Sequence, residues 1–286
     1  MRNKSFKVLS ALVALFMLIG LCAGCQKDDA AGEPANRLEA ILQRGYIEVA
    51  TEPAFAPNEF MDPSKPEGEQ VVGSDIEFAK YIAEKLGVRL VIKPLDFVTV
   101  LTSVSEGKYD LAISALGYTP ARAESMEISK GYYYSPKRTG HGIAVRNELL
   151  STVTSPNDLA DKSVAVQKGS LQELFLEQVP AYKELKYVSA TTDGFLMLQE
   201  GKADAMITAI TTAQLFIDSN PTAGFSVVEG FEFYQDESTL GTRVGIPKGE
   251  TELLDKINEI IDEILASGKY QEWYDTYTDY AKQMGV

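Results

Sequence analysis

Histidine and cysteine are nearly missing from this chain: its 286 residues include one histidine, His141, and two cysteines, Cys22 and Cys25. That scarcity excludes a zinc finger, a disulfide framework and a Ser-His-Asp arrangement with a histidine to spare. Positive charge is also short. The 27 Lys and Arg face 41 Asp and Glu, for a net charge of -14 and a pI near 4.6. No basic face is left to neutralise phosphates, so nucleic acid is excluded as a partner. No Gly-x-x-x-x-Gly-Lys-Ser/Thr string occurs, so no ATP site is expected, and no cofactor is implied. The sequence is 45% hydrophobic and 24% charged with a mean hydropathy of -0.10, which is globular rather than fibrous, disordered or polytopic composition.

The N-terminus reads as an address. Arg2, Lys4 and Lys7 precede an apolar run at residues 8–21, too short for an ordinary spanning helix but suited to a secretory signal. It ends in Leu21-Cys22-Ala23-Gly24-Cys25, followed by the polar Gln26-Lys27-Asp28-Asp29. This string resembles a bacterial lipobox, with Cys22 where leucine is usual. The resemblance implies a lipoprotein signal peptide at 1–24 and lipidation of Cys25; a plain secretory peptide is the alternative. Residues 25–36, polar and lacking apolar periodicity, read as a flexible tether. The body is therefore expected on the extracytoplasmic face of the cell membrane, held by lipid.

Within the body a pattern occurs twice. Glu106-Gly107-Lys108-Tyr109-Asp110-Leu111-Ala112-Ile113-Ser114-Ala115 matches Glu200-Gly201-Lys202-Ala203-Asp204-Ala205-Met206-Ile207-Thr208-Ala209 at six of ten places. Each copy predicts a helix (97–105 and 193–199), a glycine stop and a short apolar strand. Upstream, 46–51 and 162–167 read as comparable strands running into Pro- or Gly-rich turns. Ser74 and Glu77 suggest a capping box opening a helix with Ile76, Ala79, Ile82, Ala83 and Leu86 on one face. Ser170 caps a helix predicted over 171–178, before Pro180. Leu253, Ile257, Ile260, Ile261, Ile264 and Leu265 recur at helical spacing before Gly268, and Tyr270, Trp273, Tyr274 and Tyr277 follow on a second helix. Two α/β lobes with mostly parallel sheets are expected, their strand ends facing one cleft.

Seven strings, in order, carry a family resemblance: 49–55, Gly73-Ser74-Asp75-Ile76, Gly107-Lys108-Tyr109-Asp110, 118–124, Gly131-Tyr132-Tyr133-Tyr134-Ser135, 164–170 and 244–249. From about residue 37 to 280 the chain resembles the extracytoplasmic solute-binding proteins, family 3, of polar amino-acid ABC transporters. The resemblance implies a two-lobe α/β fold of the periplasmic-binding-protein type II. It puts lobe one at 37–140 and 246–286, lobe two at 146–240, and hinges at 141–145 and 241–245. Gly140, Gly142, Gly241 and Gly245 would tolerate the dihedral changes of closure.

The resemblance also implies site residues. Arg122 matches the arginine that pairs with a ligand carboxylate, for which a planar guanidinium is suited; a surface ion pair with Glu124 or Glu127 is the plainer reading. Gly117 stands where many relatives have a threonine that touches the same carboxylate. Ser170, Leu171 and Gln172 begin a helix whose N–H groups could meet an anion from the other lobe, or serve only as a cap. Phe55 and Phe97 match flanking aromatics. Ala115, Gln167 and Thr208 fall on strand ends of the site. The aspartate that usually receives an α-ammonium is replaced within Thr208-Ala209-Ile210, so Glu52 is the best remaining acid, with Asp236 and Glu237 less central.

The implied function is capture of a small carboxylate-bearing solute, an amino acid in the first instance, for a membrane permease driven by separate ATPase subunits. A dehydratase-like enzyme acting on small carboxylates, and a sensor without transport, remain as alternatives.

Overall fold

The computed structural model describes residues 33–135 and 140–286; the segment 1–24, Cys25 and most of the tether lie outside them. The described chain opens with α1 (Arg37–Arg44), which stops at Gly45 in the left-handed region with φ 74°. Strand β1 (Tyr46–Thr51) follows. The Pro- and charge-rich stretch after it folds into a small antiparallel sheet of β2 (Ala54–Phe55), β3 (Glu59–Met61) and β4 (Val71–Val72). Then come α2 (Ser74–Leu86), β5 (Arg89–Pro94), α3 (Phe97–Ser105), β6 (Leu111–Gly117), α4 (Pro120–Ser125) and β7 (Met126–Tyr133).

The chain crosses to a second sheet with β8 (His141–Arg146), β9 (Ser163–Gln167), α5 (Leu171–Leu174), β10 (Glu184–Val188), α6 (Thr191–Gln199), β11 (Ala205–Ala209), α7 (Ile210–Ser219) and β12 (Phe225–Val227). It returns through β13 (Thr242–Pro247) and ends with α8 (Thr251–Ser267) and α9 (Lys269–Met284).

The two five-stranded sheets have one design. Sheet one runs β5-β1-β6-β13-β7 and sheet two β10-β9-β11-β8-β12. In each, three parallel strands adjoin one antiparallel strand that has come from the other lobe: β13 lies against β6, and β8 against β11. The duplicated Glu-Gly-Lys motif is thereby explained. Gly107 (φ 74°) and Gly201 (φ 69°) each turn the chain out of a helix into the third parallel strand, a backbone conformation that favours glycine.

The expected hinge stretches 141–145 and 241–245 fall mostly inside β8 and β13, paired with 205–209 and with β6 and β7. The chain enters sheet two at β8 and returns to sheet one through residues 228–241 and β13.

Apolar periodicity became core as the spacing predicts. In α8, Leu253, Ile257, Ile260, Ile261 and Ile264 are buried against sheet one; Leu265 is 45% exposed and belongs to the outer face. Tyr270 of α9 is buried in the same cluster, with Trp273 and Tyr274 packed on it. The capping box expected at Ser74 and Glu77 does not form. Gly73 is the N-cap, and a Cβ there would sit 2.0 Å from the Asn58 carbonyl oxygen, so only glycine fits. Ser74 Oγ instead meets Tyr270 Oη at 3.0 Å, and Glu77 accepts from Lys80 and Tyr277. Among the described residues no helix is long and apolar enough to cross a membrane.

Candidate functional site between the lobes

Carboxyl ends of parallel strands are where ligands bind in open α/β sheets. Here Thr51 and Glu52 end β1, Gly117 ends β6, Gln167 ends β9 and Ala209 ends β11. Arg122 stands above them on α4, whose start is fixed by Pro120 and by Thr119, its hydroxyl accepting the Arg122 N–H at 3.1 Å.

Arg122 is 6% exposed, and its guanidinium spans the cleft. Nη1 donates to the Gly117 carbonyl at 2.6 Å in lobe one, and Nη2 donates to the Gly169 carbonyl at 3.0 Å in lobe two. Its Cζ lies 5.5 Å from the centre of the Phe97 ring. The surface pair with Glu124 or Glu127 does not form; Glu127 pairs with Lys248 at 3.3 Å. Among the described residues no carboxylate makes an ion pair with Arg122, and burial pulls its pKa down to about 10. It remains a cation at neutral pH. A buried guanidinium supported by neutral carbonyls alone is stabilised by any anion that reaches it. A cavity of about 290 Å³ between the lobes is lined by Arg122, Thr119, Gly169 and Ser170, with Leu101 and Leu174 on its apolar side.

Lobe two meets Arg122 through the turn after β9. Gly169 has φ 76°, which glycine adopts without strain. Ser170 caps α5 as predicted, accepting from Glu173 N at 3.2 Å, while its hydroxyl donates to the Gln167 carbonyl at 2.7 Å. The helix itself is shorter than expected: α5 is a single turn, and Phe175–Gln178 continues as a 3-10 helix. Its dipole is correspondingly small. The nearby Gly169 N–H is already taken by the Glu173 carboxylate at 2.6 Å. Gln172 is turned toward the hinge strand, its Nε2 3.2 Å from His141 Nδ1.

The acid of the site is Glu52, 3% exposed. Burial raises its pKa to about 7; a hydrogen bond with Gln167 from the other lobe works against that, and the charges of Asp193 and Asp96 add to it. Glu52 and Gln167 thus make the second bridge between the lobes. Gln167 is held by its own lobe, Nε2 donating to the Ser189 carbonyl at 3.0 Å and Oε1 accepting from Thr191 at 3.3 Å. Thr208, 2% exposed at the end of β11, has a buried hydroxyl with no partner among the described residues. Phe55 is half-buried on β2, paired in register with Glu59.

Beneath Glu52 lies a network that sequence reasoning missed. The Glu52 N–H donates to Ser114 Oγ at 3.0 Å, and that hydroxyl donates to Glu59 at 3.0 Å. Asp75 accepts the Ala115 N–H at 2.7 Å and the hydroxyls of Tyr132 and Tyr270 at 2.9 and 2.5 Å. Burial, and then the neighbouring Asp75, push Glu59 well above the usual carboxylate range; Asp75 is raised too, by burial. Two neighbouring buried carboxyls disfavour each other's ionisation, so both are held above their ordinary values.

The network holds Ala115 at φ 47°, a left-handed conformation that costs a non-glycine residue about 1 kcal/mol or more. It coincides with the register shift of β13 against β6, a bulge at the rim of the cleft. The only sequence signal was the Gly73-Ser74-Asp75 string, which reads as a helix start rather than a buried carboxylate.

The chain's similarities agree with this geometry. Residues 47–280 match the family model described as bacterial extracellular solute-binding proteins, family 3. A probable histidine-binding protein of Campylobacter jejuni is 27% identical, over 92% of this chain and 95% of that protein. The L-arginine-binding protein of Pseudomonas aeruginosa is 26% identical over 82% and 88%. Among solved structures, the amino acid ABC transporter substrate-binding protein AbpA of Streptococcus pneumoniae, bound to L-arginine, superposes with a TM-score of 0.76 at 32% identity, covering 85% of this chain and 98% of that one. An ancestral amino-acid-binding protein described as a precursor of cyclohexadienyl dehydratase superposes at 0.72 with 26% identity over 84% and 99%. All four are described as binding proteins, and the fold is the two-lobe type II arrangement. A two-lobe body with a lone buried guanidinium in its cleft, matched over nearly all its length, belongs to the bacterial extracellular solute-binding proteins of family 3.

Proposed function

We propose that this protein is the receptor of an ABC importer for an amino acid carrying a cationic group, tethered outside the cell membrane through a lipid on Cys25 and delivering its ligand to a permease with separate ATPase subunits. The observation that carries the reading is the pair of buried charges at the strand ends of lobe one: Arg122, which makes no ion pair among the described residues, and Glu52, with Asp96 and Asp193 adding negative potential around the acid. A carboxylate matches the first and an ammonium or guanidinium the second. Relatives named for arginine and histidine binding support the same class. Closure by bending where the chain enters β8 and β13 would bring lobe two's carbonyl and amide partners onto a ligand already held by lobe one.

Calorimetry with L-arginine, L-lysine, L-histidine, L-glutamine and L-glutamate tests this. The basic amino acids bind most tightly, and Arg122→Ala weakens them by on the order of 100-fold or more, about 3 kcal/mol. Equal or tighter binding of L-glutamate, or unchanged affinity in Arg122→Ala, overturns the reading.

A further inference from the structure

The two carbonyls that orient Arg122 belong to the two glycines into which apolar side chains of the opposite lobe fit. A Cβ built on Gly117, in lobe one, would lie 2.9 Å from Cδ2 of Leu171, in lobe two, and 3.8 Å from its Cγ. A Cβ built on Gly169, in lobe two, would touch Val98 and Leu101 of lobe one at 3.4 and 3.6 Å. Arg122 donates to Gly117 O and to Gly169 O. The packing of the lobes and the aim of the guanidinium therefore share the same backbone atoms.

The two glycines differ in why they must be small. Gly169 needs its left-handed backbone, so any substitution there mixes strain with crowding. Gly117 lies outside the left-handed region, and its backbone would accept other residues. What a side chain at 117 would press on is the Leu171 methyl from across the cleft, which would have to give way.

We infer that Leu171 and Gly117 are a positioning pair: the leucine seated on the glycine sets how far the lobes close, and through the two carbonyls it sets where the Arg122 guanidinium points. The inference concerns lobe register and stands apart from ligand identity; only the L-arginine measurement below rests on the proposed function. It also makes sense of the departure noted at 117. A hydroxyl-bearing residue there would bring a donor into the cleft but would push the Leu171 methyl aside, so the two positions are expected to be coupled.

The test is a double-mutant cycle of Gly117→Thr and Leu171→Ala in the full chain, with two readouts. Amide hydrogen exchange in residues 169–174, on the lobe opposite the mutated glycine, reports opening; calorimetry with L-arginine reports the site. Gly117→Thr is expected to speed exchange in 169–174 severalfold and to weaken L-arginine about tenfold or more, with melting temperature showing that the fold persists. Leu171→Ala removes the seat itself and is expected to speed exchange in 169–174 and to weaken L-arginine severalfold. The double variant returns both exchange and affinity to the level of Leu171→Ala or better, a non-additivity that a merely structural role at 117 would not produce. Effects of the two substitutions that simply multiply, or a Gly117→Thr protein with unchanged exchange in 169–174, overturn the inference. A wild-type protein that ignores L-arginine refutes the proposed ligand class instead, and the exchange arm still decides the positioning pair.

Discussion

The two lobes share a strand order and a duplicated motif, yet they bury different chemistry. Among the described residues, every buried charged side chain lies in lobe one: Glu52, Glu59, Asp62, Asp75, Asp110 and Arg122. The polar groups buried in lobe two are neutral, namely Gln167, Ser170, Gln172, Thr191, Thr208 and Thr212. Desolvating a charge costs far more than desolvating an amide or hydroxyl. Arg122 and Glu52 are covered by neutral groups of lobe two, Gly169 and Gln167, so no second charge is desolvated where the lobes meet.

The duplicated motif offers the sharpest way to test that contrast. Asp110 has a fully buried carboxylate paired with Arg37 at 2.9 Å and with Arg44, and it accepts the Glu48 N–H at 2.7 Å. Its counterpart Asp204 is 26% exposed at its side chain and is satisfied by the Ser163 N–H and hydroxyl at 2.8 and 2.7 Å, with Arg146 at 3.4 Å. Chemical denaturation of Asp110→Ala should show a loss of about 3 to 5 kcal/mol, because two arginines are left without their anion. Asp204→Ala should lose about 1 to 2 kcal/mol, since a serine and a partly solvated arginine recover water. Equal losses would mean that the lobes do not differ as described.

A smaller effect is expected from pH. Glu52 is raised from the ordinary 4.5 to about 7, so below pH 7 it is largely protonated and cannot pair with a cationic ligand. Affinity for L-arginine should therefore rise roughly tenfold per pH unit up to about pH 7 and level off above it, about 1.4 kcal/mol for each unit. Glu52→Gln should flatten that profile. The same shift makes the ligand-free fold lose stability as pH rises from about 4.5 to 7, because the folded carboxyl keeps a proton that the unfolded one has released. A profile that stays steep in Glu52→Gln would place the titration elsewhere.

The least change is predicted for lobe two. Replacing Thr208 by valine removes a buried hydroxyl that has no partner among the described residues, so stability should be unaltered or improved within about 1 kcal/mol. L-arginine affinity measured by calorimetry should fall less than tenfold. A loss above 100-fold would show that neutral dipoles of the second lobe carry as much as the charges of the first.

How much of this could be read in advance depends on the range of the interaction. The helix over Phe97–Ser105 and the strand over Tyr46–Thr51 stand where periodicity placed them, and Ser170 caps its helix as read. Arg122, Gly117 and Leu171 meet in the structure, as do Glu52 and Gln167. The Ser74–Glu77 capping box failed because Tyr270, 196 residues away in sequence, takes the Ser74 hydroxyl. The helix after Ser170 tightened into a 3-10 turn, for which nothing in the structure gives a physical account. The buried pair Glu59 and Asp75 had no signature at all, since each acid looks like a surface residue until both are buried.

Sequence alone determined the strand and helix periods, the glycine stops and the repeated helix-stop-strand unit, because these arise from side-chain spacing and backbone preference within a few residues. Tertiary structure decided which charges lose water and which carbonyls receive them. Arg122 reaches an acceptor 47 residues along the chain, at Gly169, and no local pattern encodes the desolvation that makes that contact matter.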